Sequence, residues 1–453
     1  MAADYANVMA ADMAAFLPRH FDQARVIAPG EANGLASGYR FLISTDPSVA
    51  GTNASLTLTD ADGQSALWSR NWNAGNTPAA DLKAEVSATA SKAALCLTEA
   101  KSGRARLSQP ALGLYLSGCT GLTDNTLSDT DFEAIFERVT KLNPDFKPAW
   151  NYLALTRSWI AEGLEDSSPS AHAAALKSAR DAIAIARKLN PDSAMSYDAE
   201  YHLIYRDHFR GLQLLEKAAQ IDPYDGRIQM HLSDELTSVG RMADSVEAAH
   251  RGVELEPVSP YVVQQYILAL AYSGQFSKAK SVIADARKKW PDDTQINFAD
   301  FGFQFRYGDP HAAMSLLPTI GSLTDAQMEP SRKVIAARID PTPAKVDEAI
   351  GALINRAAKD QRARNTVLMG LVTLGQIEQA RQLLLDPQFE PYIEKNALFR
   401  PDFAAVRADP SFMQVAARLG LVRYWRTTGF WPDFCSSERL RYDCKAEAAK
   451  YPS

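Results

Sequence analysis

The chain has little cysteine and no segment suited to crossing a membrane. Only four of its 453 residues are cysteine. No stretch approaches the roughly 18 to 20 consecutive apolar residues that a transmembrane helix needs. The first residues, MAADYANVMAADMAAF, lack the basic and then apolar regions of a signal peptide. The sequence therefore predicts the water-soluble part of a longer protein, with Met1-Ala2 as an appended start.

A strong charge of either sign is also missing. Lysine and arginine total 48 against 54 aspartates and glutamates, a formal net charge of −6. Binding to a nucleic-acid backbone needs clustered positive charge, so we expect no direct nucleic-acid binding by this segment. Hydrophobic residues make up 46% and charged residues 23%, which favours a folded chain over a disordered one.

Sequence motifs of catalysis and metal binding are absent as well. There is no GxxxxGK[ST] phosphate loop, no GxSxG nucleophile turn and no HExxH zinc motif. DADG at 60–63 is similar to the start of a calcium loop but lacks the later ligands. We therefore expect a non-enzymatic protein without a cofactor or a metal.

The four cysteines form two local pairs, Cys96 with Cys119 and Cys435 with Cys444. Neither pair has the CxxC spacing of a redox or zinc site, and the residues between the second pair, SSERLRYD, suit a surface loop. Two disulfides in an oxidising compartment are the favoured interpretation. Free thiols in a cytoplasmic protein are the alternative, and four cysteines allow three pairings.

Prolines divide the middle of the chain into units. Each closes a motif such as LNPD or KWPD, at Pro144, Pro191, Pro223, Pro257 and Pro291. Their separations are 47, 32, 34 and 34 residues. A period of 34 is typical of the tetratricopeptide repeat, a pair of helices that stacks on its neighbours, and the first gap indicates an insertion. The fold class is therefore mainly α, a solenoid of five to six helical hairpins in residues 126–390.

The clearest unit covers residues 260–293. Gly274 supplies its turn, and the small Ala286 allows the second helix to approach its neighbour. The following unit keeps Gly308 and then loses the pattern, which returns around Gly375.

Residues 1–125 follow a different pattern, which predicts a small α/β domain in front of the solenoid. Short runs rich in β-branched and aromatic residues predict strands, the last two joined by a hairpin turn. These runs are ARVIA (24–28), YRFLIS (39–44), ASLTLTD (54–60) and SALWSRNW (65–72). Thr77-Pro78 then predicts the start of a helix that contains Cys96.

Residues 391–453 are predicted to form a helical cap on the solenoid. Tight helical turns in RPDFAAVRADPSFMQVAARLG precede the second cysteine pair. The last repeat of a solenoid exposes an apolar face, which a terminal cap covers. A disulfide loop there would stabilise a segment that has few neighbours.

The order of these parts resembles the sensory region of ToxR/CadC-type and HilA-like bacterial transcriptional regulators, a TolB-like α/β domain followed by tetratricopeptide repeats. The resemblance rests on YRFLISTDPSVAGTNASLTLTDADGQSALWSRNW, AALCLTEA, ALGLYLSGC and the tail RLGLVRYWRTTGFWPDFC. Similar regions follow the catalytic domain of some bacterial adenylate cyclases. The resemblance implies a sensor region whose winged-helix DNA-binding domain, often followed by one membrane helix, is missing here.

Fixed positions of each first helix line the inner surface of a tetratricopeptide array. The repeat phase selects Asp198, His202, Tyr205 and Arg206 in one unit, Arg227, Met230 and Asp234 in the next, then Tyr261, Gln264, Leu268 and Tyr272, and finally Phe298, Phe305 and Arg306. Aromatic rings mixed with guanidinium groups predict binding of a peptide or protein through its carboxylates and apolar side chains. The alternative is a solvated inner wall without a ligand.

These patterns favour the periplasmic sensor region of a membrane-bound regulator. A partner in the groove, or a homodimer contact through the N-terminal domain, would signal to the missing DNA-binding domain. Two alternatives stay open: a cytoplasmic tetratricopeptide adaptor with reduced cysteines, and the regulatory region of a class III adenylate cyclase.

Overall fold

The computed structural model describes residues 39–48, 51–60, 66–73, 79–102, 107–124, 127–164, 169–203, 207–257, 259–321, 324–360 and 363–451. Backbone contacts divide the chain into two units, Met1–Leu203 and Ile204–Ser453. This division falls inside the predicted repeat region, and the three predicted domain ranges stay predictions. The expected strand at 24–28 and the Thr77-Pro78 cap lie outside the described residues.

Three antiparallel strands form the sheet of the first unit. β1 (Tyr39–Ser48), β2 (Gly51–Asp60) and β3 (Ala66–Asn73) pair in the order β1-β2-β3. Leu56 and Leu58 of β2 are fully buried, because alternate side chains of a strand point to the same face. The three strands predicted in this part of the chain are confirmed.

Six described helices follow the sheet in the first unit. They are α1 (Ala79–Ser102), α2 (Gln109–Asp124), α3 (Asp129–Leu142), α4 (Lys147–Leu164), α5 (Pro169–Leu189) and α6 (Ala194–His202). The sheet and α1 to α4 share one apolar core, in which Trp68, Phe136 and Phe146 are buried. A disulfide joins Cys96 of α1 to Cys119 of α2, as predicted. Helices α4 and α5 pack against each other as the first helical hairpin.

The second unit consists of helices that pack in consecutive pairs after α7. They are α7 (His208–Ile221), α8 (Gly226–Ser238), α9 (Met242–Leu255), α10 (Pro260–Tyr272), α11 (Phe276–Lys289), α12 (Thr294–Arg306), α13 (Pro310–Leu316), α14 (Asp325–Ile339), α15 (Pro343–Lys359), α16 (Arg364–Thr373) and α17 (Ile377–Leu385). The pairs run from α8/α9 to α16/α17. The mainly α solenoid of tetratricopeptide-type hairpins is therefore confirmed. None of the described helices combines the length and apolar character needed to cross a membrane.

Glycine sets both the turns and the close approach of these helices. Gly240, Gly274 and Gly375 end the first helix of three pairs with φ of +84°, +78° and +72°, a conformation that side chains with a Cβ disfavour. Gly226 and Gly252 lie where α8 crosses α9, and a Cβ on Gly226 would stand 2.9 Å from the Gly252 carbonyl oxygen. The 34-residue repeat is thus visible in the backbone as well as in the sequence.

The pair α14/α15 occupies the stretch in which the repeat pattern is lost. Its first helix begins with a capping box between Thr324 and Gln327, and its second has Pro343 at the first position. Both signals are legible in the sequence, and they mark helix starts without the residue spacing of the repeat.

A C-terminal segment packs on the last helix pair and also runs back along the earlier ones. It contains 3₁₀ turns at Pro387–Tyr392, Lys395–Phe399 and Pro401–Phe403, then α18 (Ala404–Arg407), α19 (Ser411–Arg418), α20 (Leu421–Thr428), α21 (Phe434–Ser437) and α22 (Cys444–Ala448). Trp425 is fully buried and donates a hydrogen bond to the Val239 carbonyl at the end of α8 (2.9 Å). The second predicted disulfide, Cys435–Cys444, closes the loop between α21 and α22.

Candidate partner-binding face

The first helices of three successive pairs, α8, α10 and α12, lie side by side. Residues 34 positions apart occupy equivalent places on them, so that Arg227 corresponds to Tyr261 and Gln264 to Phe298. We call the surface formed by the predicted positions of these helices the first-helix face: Arg227, Met230, Asp234, Tyr261, Gln264, Leu268, Tyr272, Phe298, Phe305 and Arg306.

The N-terminal half of this face is open to solvent. Tyr261 on α10 is 49% exposed and Phe298 on α12 is 47% exposed, whereas Met230 on α8 and Gln264 on α10 are buried. Arg227 is half-buried and places its guanidinium 3.4 Å from the Asp225 carboxylate. We call Tyr261 and Phe298 the aromatic pair.

A half-buried arginine lies further along α12. Arg306 donates one hydrogen bond to the Gly302 carbonyl (3.1 Å), and its guanidinium lies 5.9 Å from the ring centre of Phe305. Its Nε atom is buried without a hydrogen-bond partner. Since arginine has five N–H donors in a planar fork, this group retains donors for a carboxylate.

The C-terminal half of the face is covered by the chain itself. Residues 396–403, here called the strap, pass across the ends of α8, α10 and α12 in order. The Asn396 side chain hydrogen-bonds Asp234 of α8. Phe399 fills the space in front of Gly240, where a Cβ atom would lie 2.7 Å from its ring.

The strap then reaches the next two helices. The guanidinium of Arg400 lies 4.1 Å above the ring centre of Tyr272, the last residue of α10. One helix further, the Tyr307 hydroxyl donates a hydrogen bond to Asp402 (2.9 Å). The predicted groove is therefore half open and half filled, and Tyr272 is a strap contact with 8% of its surface exposed.

Asp234 stands at the border between the open and the covered half. Burial raises its pKa from 3.8 to about 6, and the neighbouring Glu235 carboxylate adds to this effect. The nearby His208 and His231 side chains and the hydrogen bond from Asn396 oppose the rise. His208 in turn contacts Glu235, with 2.6 Å between Nδ1 and Oε2.

Two of the predicted site residues lie in the first unit, on α6. Asp198 is fully buried, and His202 is 8% exposed. The Trp159 indole donates to His202 Nε2 (3.0 Å), so the ring must carry its proton on Nδ1, which faces Glu162 Oε2 at 2.7 Å. These side chains are held by protein partners, whereas Tyr205 and Arg206 lie outside the described residues.

Neither the strap nor the buried arginines that hold it are predicted by the sequence patterns. Arg400 and Arg407 are 4% and 1% exposed, an uncommon state for arginine. The sequence NALFRPDF places Arg400 among apolar residues, which is consistent with a buried segment. Only the tertiary contacts show what this segment packs against.

No protein-family model and no curated protein matches the chain. Among solved structures it is similar to YrrB, described as a TPR protein with an unusual peptide-binding site, at 16% identity over 48% of this chain and 96% of that one, with a TM-score of 0.29. The yeast Tom70 structure shows 15% identity over 74% of each chain and a TM-score of 0.37. The TPR domain of P58(IPK) shows 13% identity over 78% of this chain and 94% of that one, with a TM-score of 0.20.

Proposed function

We propose that this protein binds an extended peptide segment of a partner protein along the first-helix face, from its open N-terminal half to Arg306 at the end of α12. The observation that carries the proposal is the exposure of Tyr261 and Phe298 on adjacent helices. Burial of aromatic rings on binding releases ordered water and supplies much of the affinity of protein interfaces. Exposed aromatic rings on two adjacent helices of one face are therefore a feature that favours an interaction site.

The arrangement favours a peptide that combines an apolar or aromatic side chain with a carboxylate. The apolar side chain would pack on the aromatic pair. The carboxylate would pair with Arg306, whose guanidinium is already oriented by the Gly302 carbonyl. Such charge-assisted hydrogen bonds are stronger than neutral ones and give a short segment a defined direction along the face.

The cellular role we propose is that of an extracytoplasmic sensor region in a bacterial membrane-bound transcriptional regulator. Two disulfides support an oxidising compartment. The resemblance of the sequence to the sensory region of ToxR/CadC-type and HilA-like regulators supports a regulatory role. In such a regulator, a bound partner would act on the DNA-binding domain only if its affinity differs between two arrangements of the whole protein. The role proposed for this chain is one of binding.

The test is selection from a phage-displayed random peptide library on the whole chain. We expect enriched peptides to contain an aromatic or aliphatic residue near an acidic one. The double variant Tyr261→Ala/Phe298→Ala should lose at least about tenfold in affinity for a selected peptide, since two truncated contact residues commonly cost 1.4 kcal/mol or more.

The matched control is Ile354→Ala on α15, which removes another exposed apolar side chain (51% exposed) away from the face. It should bind the selected peptide as the unaltered chain does. Failure to enrich any peptide, or equal loss of binding in the control, would count against the proposal.

A further inference from the structure

Arg407 of α18 lies behind the strap and is 1% exposed. Its Nη1 donates hydrogen bonds to two backbone carbonyls of the strap, those of Leu398 (2.7 Å) and Arg400 (2.8 Å). These are the residues on either side of Phe399, which faces Gly240, and one of them also contacts Tyr272. Arg407 therefore fixes the backbone of the strap where it crosses α8 and α10.

The opposite side of the same guanidinium is held by the disulfide loop. Nε donates to Glu438 Oε2 (3.2 Å), and Nη2 donates to the other oxygen of that carboxylate. Glu438 lies between Cys435 and Cys444, inside the loop that their disulfide closes. From the same loop, the Tyr442 hydroxyl donates to the Arg407 carbonyl (2.8 Å).

We propose that Arg407 is a positioning residue for the first-helix face. It joins the C-terminal disulfide loop to the strap, and the strap joins the ends of α8, α10 and α12. Arg407 thereby sets the relative placement of the helices that carry the aromatic pair. The consequence for peptide affinity rests on the proposed function, whereas the placement of the helices does not.

The chemistry of the site demands an arginine paired with a carboxylate. A planar fork can serve two carbonyls on one edge and a carboxylate on the other, and a lysine ammonium cannot reach all three. Loss of the carboxylate charge would leave a buried guanidinium without its ionic partner, a strongly unfavourable state. We expect the protein to relieve that state by letting the guanidinium turn toward solvent, which frees the strap.

The test uses Glu438→Gln in the whole chain, since Glu438 is partly exposed (24%) and its amide analogue retains the shape of the side chain. The matched control is Glu447→Gln in the same C-terminal segment. Glu447 pairs with the exposed Lys450 and not with Arg407. Arg407→Lys is the second variant, which retains the positive charge and loses the fork.

Two readouts are measured at a temperature well below unfolding. The first is amide hydrogen exchange of residues 396–403 and of the helix ends near Gly240, Gly274 and Tyr307. The second is the dissociation constant of a peptide selected as above. We expect Glu438→Gln and Arg407→Lys to raise strap exchange at least about tenfold and to weaken the peptide about five- to tenfold, with α14 and α15 unchanged.

The outcomes separate this inference from the proposed function. Unchanged exchange of the strap in both variants, or a change equal to that of Glu447→Gln, overturns the positioning role. Faster strap exchange with unaltered exchange at the three helix ends also overturns it. If no peptide is enriched by the unaltered chain, the proposed function fails, and exchange at the helix ends alone decides the role of Arg407.

Discussion

The buried Arg400 of the strap has several contacts with its neighbours in the second unit. Arg400 is 4% exposed, and its Nε has no hydrogen-bond partner. Its other nitrogens reach Asn396 Oδ1 (3.0 Å) and the Met369 sulfur (4.0 Å). The ring of Tyr272 thus stabilises the charge by a cation–π contact, which is strongest where water is excluded.

Replacement of Tyr272 tests this contact at the residue scale. Tyr272→Leu removes the ring and should lower the free energy of unfolding by about 2 kcal/mol. Tyr272→Phe retains the ring and should lower it by less than about 1 kcal/mol. Urea unfolding monitored by circular dichroism compares the two, and equal losses would show that the ring–cation contact contributes nothing of its own.

Asp234 predicts a pH dependence whose sign follows from its raised pKa. The folded-state pKa is about 6 and the ordinary value is 3.8. Protonated Asp234 is therefore favoured by the fold, and its contribution to stability is fully present below pH 4 and lost as the pH rises through 6. Asp234→Asn should match the unaltered chain near pH 4 and exceed it in unfolding free energy by about 2 to 3 kcal/mol at pH 7.

The measurement is the difference in unfolding free energy between the two proteins from pH 4 to pH 7.5. Taking the difference cancels titration shared by both proteins, and it isolates Asp234 from Glu235, His208 and His231, which all lie close enough to influence its pKa. A difference that stays flat across this range would show that Asp234 is ionised throughout.

At the scale of elements, two turns with the same local conformation have different surroundings. Gly240 and Gly375 both end a first helix with positive φ. A Cβ atom on Gly240 would lie 2.6 Å from Pro432 and 2.7 Å from Phe399, whereas one on Gly375 would have no such neighbour within 4 Å. The first turn is a docking point for the strap, and the second is a plain repeat turn.

Alanine at each of these glycines separates the two effects. Gly375→Ala should cost about 1 kcal/mol of unfolding free energy, because only the left-handed backbone is strained. Gly240→Ala should cost about 3 kcal/mol, because the clash with the strap adds to that strain. Denaturant midpoints of the two variants give the comparison, and similar losses would mean that the strap adjusts without cost.

At the scale of the whole molecule, the two disulfides differ in access to solvent. Cys96 and Cys119 are each 1% exposed, between α1 and α2. Cys435 is half-buried near the chain end, and its partner Cys444 is 5% exposed. A reductant can thus reach the C-terminal disulfide in the folded protein more readily than the N-terminal one.

Partial reduction should therefore follow a fixed order. A dithiol reductant gives two electrons and two protons to a protein disulfide and becomes a disulfide itself. Under native conditions, alkylation and peptide mapping should find Cys435 and Cys444 labelled before Cys96 and Cys119. Simultaneous labelling of all four would contradict the difference in access. Alkylation and peptide mapping of protein from its native compartment, without added reductant, should find no free thiols. Four free thiols would favour the cytoplasmic adaptor instead.

The sequence by itself determined the repeat and much of the first unit. Proline and glycine spacing predicted paired helices, because a 34-residue period places the same turn at the end of each first helix. Short runs rich in β-branched and aromatic residues predicted β1 to β3, and the closeness of the cysteines in the sequence predicted both pairs. These features are local, so the chemistry of neighbouring residues suffices to specify them. The repeat phase also selected Tyr261 and Phe298 as residues of the inner surface, and the structure shows that both are exposed.

Only the tertiary structure decided which part of the first-helix face is open. Asp402 of the strap lies 95 residues after Tyr307, although the Tyr307 hydroxyl contacts it at 2.9 Å. The sequence around either residue does not predict this contact, because contacts between distant segments depend on the simultaneous burial of many apolar surfaces. For the same reason, no sequence motif predicts the burial of Arg400 and Arg407. The connection between the C-terminal disulfide loop and the first-helix face likewise follows only from the packing of the whole unit.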